Sequence, residues 1–269
     1  MEDNRLLQEV QVENEQHFFD FAAEVGFTKH LGGVAATEQL AALCHVDGGT
    51  YVLDVGCGAG VTPCFLAKRY GCRVVGVDIS ERMIEHSRER VRREGVASKV
   101  EFRVADAQDL PFEDNLFDAV ITESATAFPE DKQGAVREYA RVTRPGGYVG
   151  LNESTWRVVP PPPEVVAWVG QDVGASVKPL TSQEWVGLLE GAGLKEITVQ
   201  THEIDTQDEA RGMLRRYGCG GMLTVWRRML SLYVGNPAYR RFVGSLRRQG
   251  LTPDNLTEYF GYGLYVGKK

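Results

Sequence analysis

Between residues 50 and 152, short runs of β-branched and other apolar residues alternate with longer stretches in which apolar positions recur at helical spacing. That rhythm belongs to βαβ units, in which helices cover a largely parallel sheet. The strands it predicts are Tyr51–Val55, Arg73–Val77, Lys99–Val104, Ala119–Thr122 and Tyr148–Leu151. Ser80 stands where it can cap a helix running toward Gly95, and Asp131 where it can cap another that ends before Pro145-Gly146-Gly147. In both cases a short oxygen-bearing side chain can accept from an N–H that the first helical turn leaves unpaired.

The rhythm breaks after Glu153. Pro160 to Pro163 stiffen the chain, and Val165–Gly174 is a candidate short helix outside the sheet. Thr181 and Glu184 then have capping-box spacing ahead of an apolar helix ending near Gly193, and a strand follows over Leu194–Gln200. A final strand, Tyr259–Val266, lies beyond roughly fifty residues of helical pattern, too long for an ordinary connection and therefore an inserted subdomain. The pattern over 1–45 is helical as well. The expected division is an N-terminal helical cap over 1–45, a doubly wound α/β core over 46–204 with a cap segment at 154–178, an inserted helical cap over 205–254, and the last core strand within 255–269. The three outlying pieces are expected to meet over one edge of the core.

Composition narrows the function. With 269 residues, 43% of them hydrophobic and 25% charged, the chain is long enough for one large core and a smaller appended unit. A net charge of −7 argues against a protein that holds nucleic acid through its overall field, because neutralising phosphates needs a basic face. The polar start MEDNRLLQEVQVENEQ lacks the basic flank and apolar run of a secretion signal, and no stretch is long enough to span a bilayer, so a cytoplasmic location is expected. Cys44, Cys57, Cys64, Cys72 and Cys219 are odd in number and lack paired CxxC spacing, which reads as free thiols in a reducing compartment. His17, His30, His45, His86 and His202 show no pair at metal-ligand spacing, so no metal site is expected. His86, in the charged stretch Glu85-His86-Ser87-Arg88, is expected to be solvated.

The chemistry concentrates where the first strand runs into Gly56-Cys57-Gly58-Ala59-Gly60 and then a helix. Glycines there allow a tight turn and a ligand's close approach, while the helix start offers unpaired N–H groups. The spacing is GxGxG, and Val61 stands where the dinucleotide fingerprint requires a later glycine to fall. The second strand ends in Val77-Asp78-Ile79, a carboxylate for ribose hydroxyls beside an apolar face for a base. The third ends in Val104-Ala105-Asp106-Ala107, a carboxylate able to accept from an exocyclic amine. Both fall at the C-terminal edge, where ligands gather in open α/β sheets. Cys57 and Cys64 read as packing residues rather than nucleophiles.

This ordered set resembles the class I S-adenosylmethionine-dependent methyltransferases: Asp54-Val55-Gly56-Cys57-Gly58-Ala59-Gly60, Val77-Asp78-Ile79-Ser80 with Met83, Asp106-Ala107 before Leu110-Pro111-Phe112, Phe117-Asp118-Ala119-Val120, and Arg144-Pro145-Gly146-Gly147. The resemblance implies a Rossmann-like, mostly parallel seven-stranded sheet whose last strand runs antiparallel, and S-adenosylmethionine as cofactor. It further implies that Asp54 and the turn Gly56, Cys57, Gly58 and Gly60 hold the methionine end, Asp78 the ribose, Ile79 and Met83 the adenine faces, and Asp106 with the Ala107 backbone the adenine edge. Glu123 would face the cofactor or the substrate, and Gly32-Gly33 with Thr37 would close over the cofactor carboxylate.

The function expected is methyl transfer to a small-molecule acceptor, with no catalytic residue assigned. The alternative is a catalytically silent S-adenosylmethionine-binding regulatory module. A nicotinamide-dependent reductase is disfavoured by Val61, and arsenic methylation by the layout of Cys44, Cys64, Cys72 and Cys219. The stretch from Asp205 to Gly250 carries nine arginines against three acids, interleaved with Tyr217, Trp226, Tyr233, Tyr239 and Phe242. The favoured reading is amphipathic helices with solvated arginines. Inward-turned arginines that hold a substrate carboxylate or phosphate, and contact of Met222–Val234 with an anionic membrane surface, are the two sharper readings.

Overall fold

The computed structural model describes residues 21–26, 30–172, 179–204, 206–246 and 252–269. Eight strands form one sheet: β1 (Tyr51–Val55), β2 (Arg73–Asp78), β3 (Val100–Val104), β4 (Phe117–Glu123), β5 (Thr143–Trp156), β6 (Leu180–Thr181), β7 (Lys195–Glu203) and β8 (Phe260–Lys268). Their order is β3-β2-β1-β4-β5-β8-β7, and β6 pairs with the end of β5. All pairings are parallel except those of β8, which runs antiparallel between β5 and β7. The order reverses between β1 and β4, and this is the switch point at which an open α/β sheet leaves a crevice.

Alternation along the inner strands fixes two apolar layers. On one face Val52, Val74, Phe102 and Ile121 pack with Leu40 of α1 (Gly33–Leu43), Leu66 of α2 (Val61–Tyr70) and Ile84 of α3 (Glu81–Glu94). On the other, Leu53, Val75 and Val120 pack with Tyr139 of α4 (Lys132–Val142). The helix α5 (Pro163–Asp172) follows the proline run, and α6 (Ser182–Gly191) adds Trp185 and Leu189 to the second layer. The insertion consists of α7 (Thr206–Gly235), broken by non-helical geometry at Gly218, and α8 (Pro237–Leu246), before the single turn α9 (Leu256–Tyr259) leads into β8.

The caps expected from sequence are present. Ser80 accepts from Met83 N, Asp131 from Gly134 N, and Thr181 forms a reciprocal capping box with Glu184. Several strand bounds differ from expectation. β5 begins at Thr143 and continues to Trp156, well past the expected Tyr148–Leu151, because Asn152, Glu153 and Thr155 are fully buried and make their side-chain hydrogen bonds inside the protein. β7 runs three residues past Gln200, β8 two past Val266, and the two-residue β6 is an eighth strand. The short helix α5 starts two residues before Val165, and residues 173–174 of the expected span lie outside those described.

Candidate active site

The turn after β1 has the geometry that its glycines allow. Gly56, Gly58 and Gly60 all adopt positive φ, at 74°, 51° and 73°. At Gly56 a Cβ would come within 2.3 Å of the Ala125 Cβ, so no larger residue fits between this turn and the loop after β4. The turn is anchored to β2, because Gly56 N and Cys57 N both donate to Val77 O, at 2.8 and 2.9 Å. From behind, the buried Arg90 of α3 donates through Nε to Ala59 O at 2.8 Å. Asp54 is buried one residue before the end of β1, with Val55 between it and this turn.

Asp78, the last residue of β2, bridges two loops. Its Oδ2 accepts from Gly58 N and its Oδ1 from Ser80 N, both at 2.9 Å, so one carboxylate ties the glycine turn to the start of α3. Burial raises its pKa above the ordinary carboxylate range, and the two backbone donors partly offset this. Next to it Ile79 is 71% exposed, an apolar side chain left uncovered at the sheet's edge. Met83 is buried against Ala23 and Ala59, so its side chain lines the inside of the turn. Beyond β3, Asp106 is half-buried and accepts from Gln108 N at 2.9 Å, with Ala107 beside it packed on the second apolar layer. Cys57 and Cys64 are buried free thiols; burial pushes the Cys57 thiol far up and that of Cys64 to about 12, so neither is a thiolate near neutral pH.

Glu123 ends β4 and, rather than standing open to a ligand, is buried in a network. Thr37 Oγ1 donates to its Oε1 at 2.9 Å, Thr62 Oγ1 to its Oε2 at 2.7 Å, and Asn152 Nδ2 lies 3.3 Å from Oε1. His30 Nε2 is 3.4 Å from the same carboxylate and 2.9 Å from the carbonyl of Gly33, the first residue of α1. Asn152 Nδ2 also donates to Leu31 O at 2.9 Å. The network therefore fastens α1 to the ends of β4 and β5 and to the first turn of α2. Thr62, Asn152 and Glu153 were not singled out from sequence, the last two because the polar run 152–155 reads as the end of a strand.

His86 corrects its expectation. It is half-buried, with Nε2 2.8 Å from Ala23 O and Nδ1 3.2 Å from Arg228 Nη1, because α7 and the segment before α1 both pack over α3. Burial first, and then the Arg228 guanidinium, hold it below the usual histidine range. His45 meets Tyr148 in a tilted ring contact and His202 stacks on Tyr262, while His17 lies outside the described residues.

Residues 52–147 match the family described as "Methyltransferase domain". An uncharacterized protein of Haemophilus influenzae is 32% identical over 77% of this chain and 83% of its own length. A solved structure of an S-adenosylmethionine-dependent methyltransferase from Geobacter sulfurreducens, in complex with S-adenosyl-L-homocysteine, is 25% identical, covers 93% of this chain and 97% of that one, and superposes with a TM-score of 0.66. The chain belongs to the class I S-adenosylmethionine-dependent methyltransferases. Its cofactor is S-adenosylmethionine. The 27-O-demethylrifamycin SV methyltransferase of Amycolatopsis mediterranei is 33% identical, and the match spans 59% of each chain, so less than two thirds of that relative is covered.

The residues present fit this cofactor. The positive-φ glycine turn over Gly56–Gly60, the paired acceptor at Asp78, the bare apolar Ile79 and the carboxylate of Asp106 lie at the ends of adjacent strands β1, β2 and β3. Among the described residues no group of histidine, cysteine and acidic side chains could hold a metal ion, and no helix is long and apolar enough to cross a membrane.

Proposed function

We propose that this methyltransferase acts on a small-molecule acceptor held between the C-terminal edge of the sheet and the helices packed over it. Asp78 carries the reading. A carboxylate that already joins the glycine turn to α3 fixes the spacing between the two loops a nucleoside must enter, and its oxygens are the acceptors that ribose hydroxyls need.

On this reading Gly56, Cys57, Gly58 and Gly60 hold the methionine end through their backbone, with Asp54 beneath them and Gly33 at the head of α1 closing over it. Ile79 and Met83 flank the adenine, and Asp106 with the Ala107 backbone meets its edge. Glu123 is a positioning residue, because both its oxygens are engaged in holding α1 and α2 in place. When bound, S-adenosylmethionine supplies a methyl group on positively charged sulfur, so that the carbon–sulfur bond breaks as an acceptor lone pair bonds to carbon. The chain's own task is then alignment and exclusion of water rather than proton transfer. The N-terminal segment and α7 supply the cover: Val25 and Val225 pack together on Val61, the first residue of α2.

The 27-O-demethylrifamycin SV methyltransferase is named for a small-molecule acceptor, as is the O-methyltransferase of Penicillium expansum that is 35% identical over 44% of this chain for transfer to oxygen. The first of these names supports an acceptor of that class. Incubating the chain with methyl-labelled S-adenosylmethionine and a metabolite extract should move label into a low-mass fraction, and that fraction identifies the acceptor. Label found only in protein or nucleic acid would contradict the proposal.

A further inference from the structure

The helix α7 is apolar on two sides, and only one of them is covered. Val225 is buried with Val25 and Val61, and Met222 and Leu232 pack against the same cluster. On the opposite side Leu223, Trp226, Leu230, Tyr233 and Val234 follow one another at helical spacing and stand in solvent, Trp226 65% and Val234 71% exposed. A helix apolar all round is ordinarily covered all round, and a contiguous exposed stripe marks a docking surface.

The charge around the stripe says what covers it. Residues 210–253 contain no acid, and among the described residues Arg227, Arg240 and Arg241 are exposed there, while Arg228 turns inward to Val25 O and His86. Exposed Arg227 stands beside Leu230 and Val234 on one open face of the helix. Arg240 donates to the carbonyls of Tyr233 and Val234 at 3.0 and 2.7 Å, which fixes its guanidinium at the end of the stripe, and exposed Arg241 follows it. The arrangement places apolar and aromatic side chains between cationic ones on a helix lying along the surface. That is the chemistry of an element resting in the interface of an anionic lipid layer, where Trp and Tyr occupy the boundary and Arg meets phosphate. A second copy fits less well, because a two-fold contact through this face would bring together two patches that both carry exposed Arg227, Arg240 and Arg241 and no neighbouring acid in 210–253.

We propose that the outer face of α7, with the start of α8, docks this enzyme on an anionic phospholipid surface, while the inner face of the same helix covers the site. The test uses the full chain without cofactor, so its outcome is separate from that of the methyl-transfer reading. The chain should sediment with vesicles of mixed phosphatidylcholine and phosphatidylglycerol, not with phosphatidylcholine alone, and added salt should release it. Trp226→Glu with Leu230→Glu should abolish partition, and Arg227→Gln with Arg241→Gln should lower it by roughly thirtyfold, given what each basic residue contributes near an anionic surface. All four positions are exposed, and unchanged thermal melting of each variant checks that it folds. No partition on either vesicle, or equal partition on both, would overturn the proposal. So would a doubled mass in light scattering, with no vesicle binding, that the Trp226→Glu and Leu230→Glu variant returns to monomer.

Discussion

Glu153 of β5 has no exposure to solvent, yet it is not part of any motif. Its Oε1 accepts from Ala125 N at 3.0 Å and Thr126 N at 2.7 Å, so it holds the loop that Gly56 must approach. Burial pushes its carboxyl up to about 7. The folded chain therefore keeps a proton that the unfolded chain has released once the pH passes the ordinary carboxylate range. Folded protein binding more protons means that stability falls as pH rises through that window, and the penalty is fully present above about pH 7. Glu153→Gln keeps an acceptor for both N–H groups and removes the ionisation. Between about pH 4.5 and pH 7 the wild type should lose up to roughly 3 kcal/mol relative to the variant, read as diverging thermal or denaturant midpoints. Midpoints that stay parallel across this range would show that the carboxyl ionises without cost. Asp54, Asp78 and Asp106 were legible in the sequence because each follows a β-branched run at the spacing a ligand-binding strand end requires. Glu153 was not, because Asn152-Glu153-Ser154-Thr155 has the composition of a strand's end and only the tertiary fold supplies the partners that let it stay buried.

Among the elements, α1 has its first turns tied to the sheet through the Glu123 carboxylate. Its hydrophobic side rests on the sheet through Leu40 and Ala41, but its first two turns are held by Thr37 and by the Gly33 carbonyl, both linked to Glu123 and His30. Removing the carboxylate leaves Thr37, Thr62 and Asn152 with buried polar groups that have lost an acceptor. Glu123→Ala should cost on the order of 3 kcal/mol, and hydrogen exchange should show α1 losing protection while β1 and β4 keep theirs. Unchanged protection in α1 would mean that its apolar contacts alone hold it. Helix ends elsewhere were readable because capping is local chemistry, as Ser80, Asp131 and Thr181 illustrate. The tie between α1 and β4 joins residues 86 positions apart, which no local pattern encodes.

For the whole molecule, the doubly wound core was legible from the alternation of strands and helices, and the arrangement of the added pieces only in part. The segment before α1 meets the insertion directly: Phe21 and Tyr239 stack edge to face at 4.9 Å, and Arg228 donates to Val25 O at 3.2 Å. The 154–178 piece packs its buried Val165 and Val169 on Leu256 and Phe260, beside Trp156, because β5 ends there and the chain that follows lands next to it. Acceptor choice resides in these pieces on our account, and cofactor binding in the core. Calorimetric titration of the full chain with S-adenosylhomocysteine and, separately, with NAD tests the core of that account most directly. S-adenosylhomocysteine should bind and NAD should not, and Asp78→Ala should weaken the former by about 1.5–3 kcal/mol, the range for hydrogen bonds to a charged group. Tight binding of NAD with none of S-adenosylhomocysteine, or an affinity that Asp78→Ala leaves unchanged in a folded variant, would contradict it.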